Sequence, residues 1–183
     1  MKISAVLLAL VALSASPVLA QNADPLLPPV ITSDLTNITS PPDFAQVAAI
    51  SGMFEVEASK LALDKASAKD VKAFAQQMID DHTKAADEMD TAADSQGGVT
   101  VPDAIDDEHQ RMLDQLKDAS GASFDQLYTR MQIEIHQDAV ALFDNYSKNG
   151  DAGALKDFAG KTLPTLQQHL EMAQKLASGT TVK

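Results

Sequence analysis

Three of the four histidines in this chain, His82, His136 and His169, lie on or beside the apolar stripe of three different predicted helices. A polar ring at a position where a helical core normally holds leucine costs free energy unless it has a partner. Neutral imidazole binds Zn, Fe, Cu and Ni, so three such rings can share one metal ion. The alternatives are a hydrogen-bonded cluster inside the core and three unrelated positions.

Glu55 lies in the apolar stripe of the first predicted helix and adds a carboxylate to this set. Counted from the predicted turns, the four side chains lie at roughly comparable depths along their helices. Metal sites inside helical bundles are commonly built from side chains on facing helices. We therefore predict Glu55, His82, His136 and His169 as metal ligands, one from each main helix. A carboxylate such as Glu55 or Asp81 can also satisfy the histidines without any metal.

Several other chemistries lack the residues that they need. The chain has no cysteine, which excludes thiolate metal sites, thiol catalysis and disulfides. Classical di-iron bundles carry Glu-x-x-His on two helices, whereas the residues three positions before the histidines are Ile79, Ile133 and Leu166. No serine elbow or phosphate-binding glycine loop is present in a supporting context. A non-catalytic role is therefore favoured, although the sequence does not decide whether the protein is an enzyme.

The elements that must position these residues are helices, because apolar residues recur at alternating spacings of three and four. The four main stripes run through Phe44–Ala62, Val71–Ala92, Phe124–Leu142 and Leu166–Leu176, and a short apolar segment at Leu155–Ala159 precedes the last one. An additional shorter helix is predicted after Pro102-Asp103, with His109 on its surface, and a break is predicted at Pro164 because proline disrupts helix interiors. No segment is typical of a strand. The expected fold class is all-α, an up-down four-helix bundle with an extra helix in the crossover between helices two and three.

The chain divides into three regions by composition. Residues 1–20 have a single positive charge at Lys2, a short apolar run and a small-residue end, which predicts a secretory signal peptide cleaved after Ala20. Residues 21–40 are rich in proline and polar residues and predict a flexible linker. Residues 41–178 form the predicted helical domain. We therefore expect a periplasmic or secreted protein with no integral membrane segment after cleavage.

The formal net charge of −12 bears on partners. Nucleic acids and anionic membranes attract positive surfaces, so we expect neither as a partner. A protein partner is not identified by the sequence, and homo-oligomerisation stays open.

Four segments carry a family resemblance. They are FAQVAAISGMFEVEASKLAL at 44–63, VKAFAQQMIDDHTKA at 71–85, FDQLYTRMQIEIHQDAV at 124–140 and LKDFAGKTLPTLQQHLEMAQKL at 155–176. They resemble the bacterial family called domain of unknown function 4142, whose members are exported and often labelled outer-membrane proteins. The resemblance implies a ferritin-like four-helix bundle and lends weight to Glu55, His82, His136 and His169, but it implies no activity.

These observations lead to one functional hypothesis and two alternatives. We expect an exported helical-bundle binding module of the bacterial envelope, with one metal ion as an optional cofactor. The first alternative is a metalloenzyme or metal-handling protein that uses a Glu/His3 cluster. The second is a structural bundle that docks a partner helix.

Overall fold

The computed structural model describes residues 35–179, which form five α-helices and one short 3-10 helix, with no strand among them. The α-helices are α1 (Pro41–Lys65), α2 (Lys69–Gln96), α3 (Asp107–Asp118), α4 (Gly121–Asn149) and α5 (Ala154–Ala177), and the 3-10 helix spans Leu35–Asn37. The all-helical prediction is confirmed. The predicted signal peptide and residues 21–34 of the predicted linker lie outside the described residues.

The first two helices form a hairpin whose ends are set by local hydrogen bonds. Ser40 caps α1 by accepting the backbone N–H of Asp43, and Pro41 occupies a first-turn position where no N–H is required. Between α1 and α2, the carboxylate of Asp125 on α4 accepts the backbone N–H groups of Ser67 and Ala68. The start of α4 is thereby held against the turn between α1 and α2.

The four long helices pack side by side, with α1 against α2, α2 against α5, α5 against α4 and α4 against α1. At the end of the molecule opposite the turn between α1 and α2, Asp151 donates its N–H to the carbonyl of Thr39. At the same end, Leu155 donates its N–H to the side chain of Gln96. Helices α2 and α4 therefore run in one direction and α1 and α5 in the other. The segment 97–120, which includes α3, carries the chain from one end of the molecule to the other, and α3 packs mainly on α1.

Two clusters of buried apolar side chains fill the interior, one in each half of the molecule. The half near the turn between α1 and α2 includes Phe54, Phe74, Met78, Leu116, Phe124, Tyr128 and Met131. The opposite half includes Phe44, Met89, Leu142, Phe143, Tyr146, Leu155, Phe158 and Leu166. On α2, His82 lies between Met78 of the first cluster and Met89 of the second. His82 thus lies at the boundary between the two clusters.

Helix α5 continues through Pro164, so the predicted break at this residue is wrong. Proline removes the hydrogen bond to the carbonyl four residues earlier, which belongs here to Gly160. Both residues are exposed, so water can reach the carbonyl that has lost its donor. Burial of Leu166 and His169 on the opposite face keeps the helix in place.

His109 is buried, with 3% of its surface exposed, so the surface position expected for it is wrong. Its Nδ1 lies 2.7 Å from the Asp106 carboxylate, and its ring meets Phe54 edge-on at 5.4 Å between centroids. His109, Met112, Leu113 and Leu116 share one face at helical spacing, and this face packs on α1. The spacing to these apolar residues was the available signal for burial.

Residues 35–40, which belong to the predicted linker, instead pack against the helical domain. Leu35 is buried in the second apolar cluster, and the carbonyl of Ile38 accepts a hydrogen bond from Asn145 at 2.7 Å. The apolar side chain of Leu35 and the backbone carbonyls of Ile38 and Thr39 hold this segment against the helices, although its composition is polar. No helix in the described range combines the length and hydropathy needed to span a membrane.

Candidate metal centre

The structure brings His82 of α2, His136 of α4 and His169 of α5 together in the interior. One ring nitrogen from each residue lies within 4.8 Å of the corresponding nitrogens of the other two. The three ring centroids are 5.3 to 5.6 Å apart, so the rings form an almost equilateral triangle. Three helices therefore deliver three imidazoles to one point, as their positions in the apolar stripes predicted.

Hydrogen bonds determine which nitrogen His136 presents to the centre. Its Nδ1 lies 2.8 Å from the backbone carbonyl of Gln132, one turn earlier on α4. A carbonyl can only accept, so Nδ1 carries the proton and Nε2 keeps its lone pair. Nε2 is buried and has no hydrogen-bond partner among the described residues.

His169 is oriented in the opposite sense. Its Nε2 lies 3.0 Å from a carboxylate oxygen of Asp81, which is the residue before His82. The carboxylate accepts, so Nε2 carries the proton and the lone pair is on Nδ1. Nδ1 of His169 and Nε2 of His82 are also buried and lack partners in the described structure. Each of the three rings thus has one nitrogen whose hydrogen-bonding capacity is unused.

All three imidazoles are held in the neutral form. Burial lowers the pKa of His82 well below its usual value, and the neighbouring His136 and His169 rings lower it further. The pKa of His136 falls to about 3, first because of burial and then because of His169. Burial also lowers the pKa of His169, although Asp81 opposes this effect. Neutral imidazole is the form that binds a metal, so no proton needs to be displaced at neutral pH.

Glu55 lies beside the three histidines but outside their triangle. Its Oε1 is 3.2 Å from Nδ1 of His136, the nitrogen that faces away from the other two unpartnered ring nitrogens. The side chain is 1% exposed, and burial raises its pKa to about 8, against a smaller opposing effect of Gln132. At neutral pH the group is therefore a carboxylic acid rather than a carboxylate. Its polar neighbours are Nδ1 of His136 and the side chain of Gln132.

Gln132 on α4 lies with these buried polar side chains but was not among the predicted site residues. Its side chain is completely buried and lowers the pKa of Glu55. Its backbone carbonyl accepts the hydrogen bond that orients the ring of His136. The available signal was its spacing, because residues four apart share a face of a helix. A buried glutamine one turn before a buried histidine indicates a polar layer rather than an isolated polar residue.

The triangle is slightly wider than a metal site requires. Nitrogens at most 4.8 Å apart lie at most about 2.8 Å from their common centre, whereas metal–nitrogen bonds are about 2.0–2.1 Å. Small rotations of each ring would close the difference of about 0.7 Å. The arrangement can therefore hold one ion through three imidazoles and leave a coordination position open for water or another ligand.

A match to a known protein family identifies the family of this chain. The family described as "Domain of unknown function (DUF4142)" matches residues 29–176, most of the chain. The chain belongs to the DUF4142 family. The resemblance noted in the sequence is thereby confirmed.

This DUF4142 protein is also similar to a solved structure described as "CopM in the Cu(II)-bound form". The TM-score is 0.65, the sequence identity is 20%, and the match covers 78% of this chain and 99% of the other. At this identity the similarity concerns the fold. No curated protein matches the chain.

Proposed function

We propose that this DUF4142 protein binds one divalent transition-metal ion inside its helical domain. The ligands are Nε2 of His82, Nε2 of His136 and Nδ1 of His169. The proposal rests on two observations: one nitrogen of each ring lies within 4.8 Å of one nitrogen of the other two, and each ring has a buried nitrogen without a hydrogen-bond partner in the described structure. Leaving three lone pairs unsatisfied in the core is costly, and a metal ion would satisfy all of them at once.

The donor set favours copper, with zinc second. Three imidazole nitrogens without a thiolate suit Cu, Zn, Fe and Ni, and the Irving–Williams order places Cu²⁺ highest among the divalent ions. The similarity to a structure described as Cu(II)-bound adds support for the same choice. Asp81 would hold His169 in the binding tautomer, as carboxylates commonly do behind metal-bound histidines.

Glu55 is the fourth ligand candidate, and its location favours a supporting role. It lies against Nδ1 of His136 and is protonated at neutral pH, so it would have to lose its proton and move to reach the ion. We therefore propose three histidine ligands, with Glu55 and Gln132 behind His136.

The remaining parts of the proposal concern the architecture and the location of the protein. We propose a ferritin-like four-helix bundle over residues 41–178, in which one long crossover joins α2 to α4, preceded by a signal peptide at 1–20 and a linker at 21–34. The antiparallel packing of α1 with α2 and of α4 with α5 supports the bundle. Cleavage after Ala20 would deliver a metal-handling protein to the periplasm or the exterior.

A metalloenzyme is the second candidate, because Glu55 is a buried acid with a pKa of about 8 beside the site. A group of this kind can exchange a proton with His136, the ring that it contacts, near neutral pH. Redox or hydrolytic turnover that is lost in Glu55→Gln, while metal binding is retained, would favour the enzyme over the binding protein.

Metal titration of the chelator-treated protein tests the proposal. We expect about one equivalent of Cu²⁺ to bind, with nitrogen hyperfine coupling from imidazole in the electron paramagnetic resonance spectrum and a raised melting temperature. His82→Asn, His136→Asn and His169→Asn should each remove the high-affinity site. His109→Asn is the matched control, because His109 is also buried but lies outside the triangle.

Binding of less than about a tenth of an equivalent of any transition metal, with unchanged melting after chelation, would refute the metal site. Full binding in all three histidine variants would show that the ion is held elsewhere.

A further inference from the structure

A cavity of about 930 Å³ lies mainly in the half of the molecule away from the turn between α1 and α2. Its walls come from all five α-helices and from the crossover segment between α2 and α3. Small side chains on three helices, including Ala49, Ala85 and Ala139, leave this space between them. The volume is at the upper end of the range for pockets that bind small molecules, which is about 300–1,000 Å³.

The walls of the cavity are apolar. Met53, Met89, Ile105, Leu142 and Phe158 are among the side chains that line it. Several of the lining side chains, such as Ala85 and Ala139, are only partly buried, so the space is in contact with the surface. An apolar wall of this size favours a ligand with a hydrocarbon body.

The charged residues that line the cavity all have the same sign. Seven carboxylates contribute to it, and the described lining contains no lysine or arginine. Asp90 on α2 and Asp103 in the crossover are exposed, while Asp138 on α4 is half-buried. Carboxylates beside a low-dielectric wall attract cations and repel anions more strongly than in open solvent.

A second polar feature distinguishes this cavity from an unfilled core. His82, whose buried Nε2 has no hydrogen-bond partner in the described structure, lines it together with His169. A neutral imidazole nitrogen accepts hydrogen bonds, as carboxylates do. The lining carboxylates accept hydrogen bonds, and they match a ligand whose polar group carries N–H donors.

From the apolar wall and the acidic lining together, we propose that the cavity binds a single-chain amphiphile with a primary ammonium group. The hydrocarbon chain occupies the apolar wall, and the ammonium group interacts with the carboxylates. The proposal does not depend on the metal site, because the carboxylates and the apolar wall are present without an ion.

Three probes with the same chain and different head charges test the proposal: decylammonium, 1-decanol and decanoate. Each is titrated by calorimetry into the chelator-treated protein near pH 7, below its micellar concentration. At low salt we expect decylammonium to bind about tenfold more tightly than decanoate, with decanol between them. The preference should shrink in about 0.5 M NaCl, where the screening length falls to about 4 Å.

Two pairs of variants separate a specific site from general effects. Asp90→Asn with Asp103→Asn should reduce the preference for decylammonium about threefold or more, whereas Asp94→Asn with Asp118→Asn removes the same charge elsewhere and should not. Ala139→Leu and Ala85→Leu fill the cavity and should weaken all three probes. Ala73→Leu on the exposed face of α2 is their control.

The probe series needs no variant, so it remains decisive even if a filling substitution unfolds the protein. Absence of binding by all three probes would overturn the cavity site. Equal binding of decylammonium and decanoate, or tightest binding of decanol, would overturn the assignment of a cationic ligand. Binding that weakens as the protein concentration rises would indicate that a second copy of the chain covers the cavity, which also contradicts the proposal.

Discussion

Replacing Glu55 by glutamine should make the metal-free protein more stable, and increasingly so as the pH rises. The carboxyl is buried beside His136, and burial raises its pKa from 4.5 to about 8. Glutamine has nearly the same shape and stays neutral, so it imitates the protonated acid. The substitution therefore isolates the cost of keeping a buried carboxyl that would ionise freely in the unfolded chain.

The sign follows from the two protonation states. Below pH 4.5 the group is protonated in both the folded and the unfolded protein, and its stabilising contribution is complete. As the pH rises towards 8, the unfolded chain releases the proton while the folded chain retains it, which favours unfolding. At about 1.4 kcal/mol per pH unit, this interval corresponds to a loss of about 5 kcal/mol relative to glutamine.

Urea unfolding of wild type and Glu55→Gln, in chelator and at several pH values from about 5 to 9, measures this difference. We expect the variant to gain stability relative to wild type up to about pH 8 and no further. The control is Glu57→Gln on the same helix, because Glu57 is exposed and its replacement should change stability by only about 0.5 kcal/mol.

The opposite slope would refute the reasoning. If Glu55 were ionised and paired with a protonated His136 across 3.2 Å, the free energy of unfolding of wild type would increase relative to that of the variant as the pH rose through the acid range. If the difference in free energy of unfolding between the two proteins does not vary with pH, Glu55 has the same pKa in the folded and unfolded chains.

Three further predictions concern other residues. Asp81→Asn should weaken metal binding about 10- to 100-fold in a titration while one equivalent still binds at saturation, because Asp81 orients His169; an unchanged affinity would contradict this role. His109→Ala should lower the free energy of unfolding by about 2–4 kcal/mol through the loss of a buried, hydrogen-bonded ring, and metal stoichiometry should not change. Pro164→Ala should raise the melting temperature and stabilise the protein by about 1–2 kcal/mol, because it restores an N–H donor for the carbonyl of Gly160; lower stability would show that proline's restriction of the unfolded chain is the larger effect.

The helices and the polar positions within them could be predicted from the sequence. Apolar residues at spacings of three and four define each long helix, and His82, His136 and His169 interrupt three of these stripes. Such periodicity is local, because it depends on the geometry of one helix at a time. A histidine within the stripe must face the interior wherever the helix packs.

The burial of His109 and the continuity of α5 through Pro164 were decided by packing between helices. The first depends on α3 lying against α1, and the second on the burial of Leu166 and His169 on the face opposite the proline. The spacing of His109 to Met112 and Leu116 was a local signal, but the contact that buries this face joins segments that are distant in the chain. At Pro164, tertiary burial outweighs a local cost of the proline.

The sequence by itself determined that the chain is all-helical and which three histidines would face the interior, because both follow from the periodicity of single helices. Only the tertiary structure decided which ring nitrogens are free and that Glu55 lies behind His136. Those properties depend on partners from other helices, such as Asp81 for His169, and on burial, which changes the protonation of Glu55. Helical periodicity assigns a residue to a face, whereas its hydrogen bonds and charge state depend on what the neighbouring helices place around it.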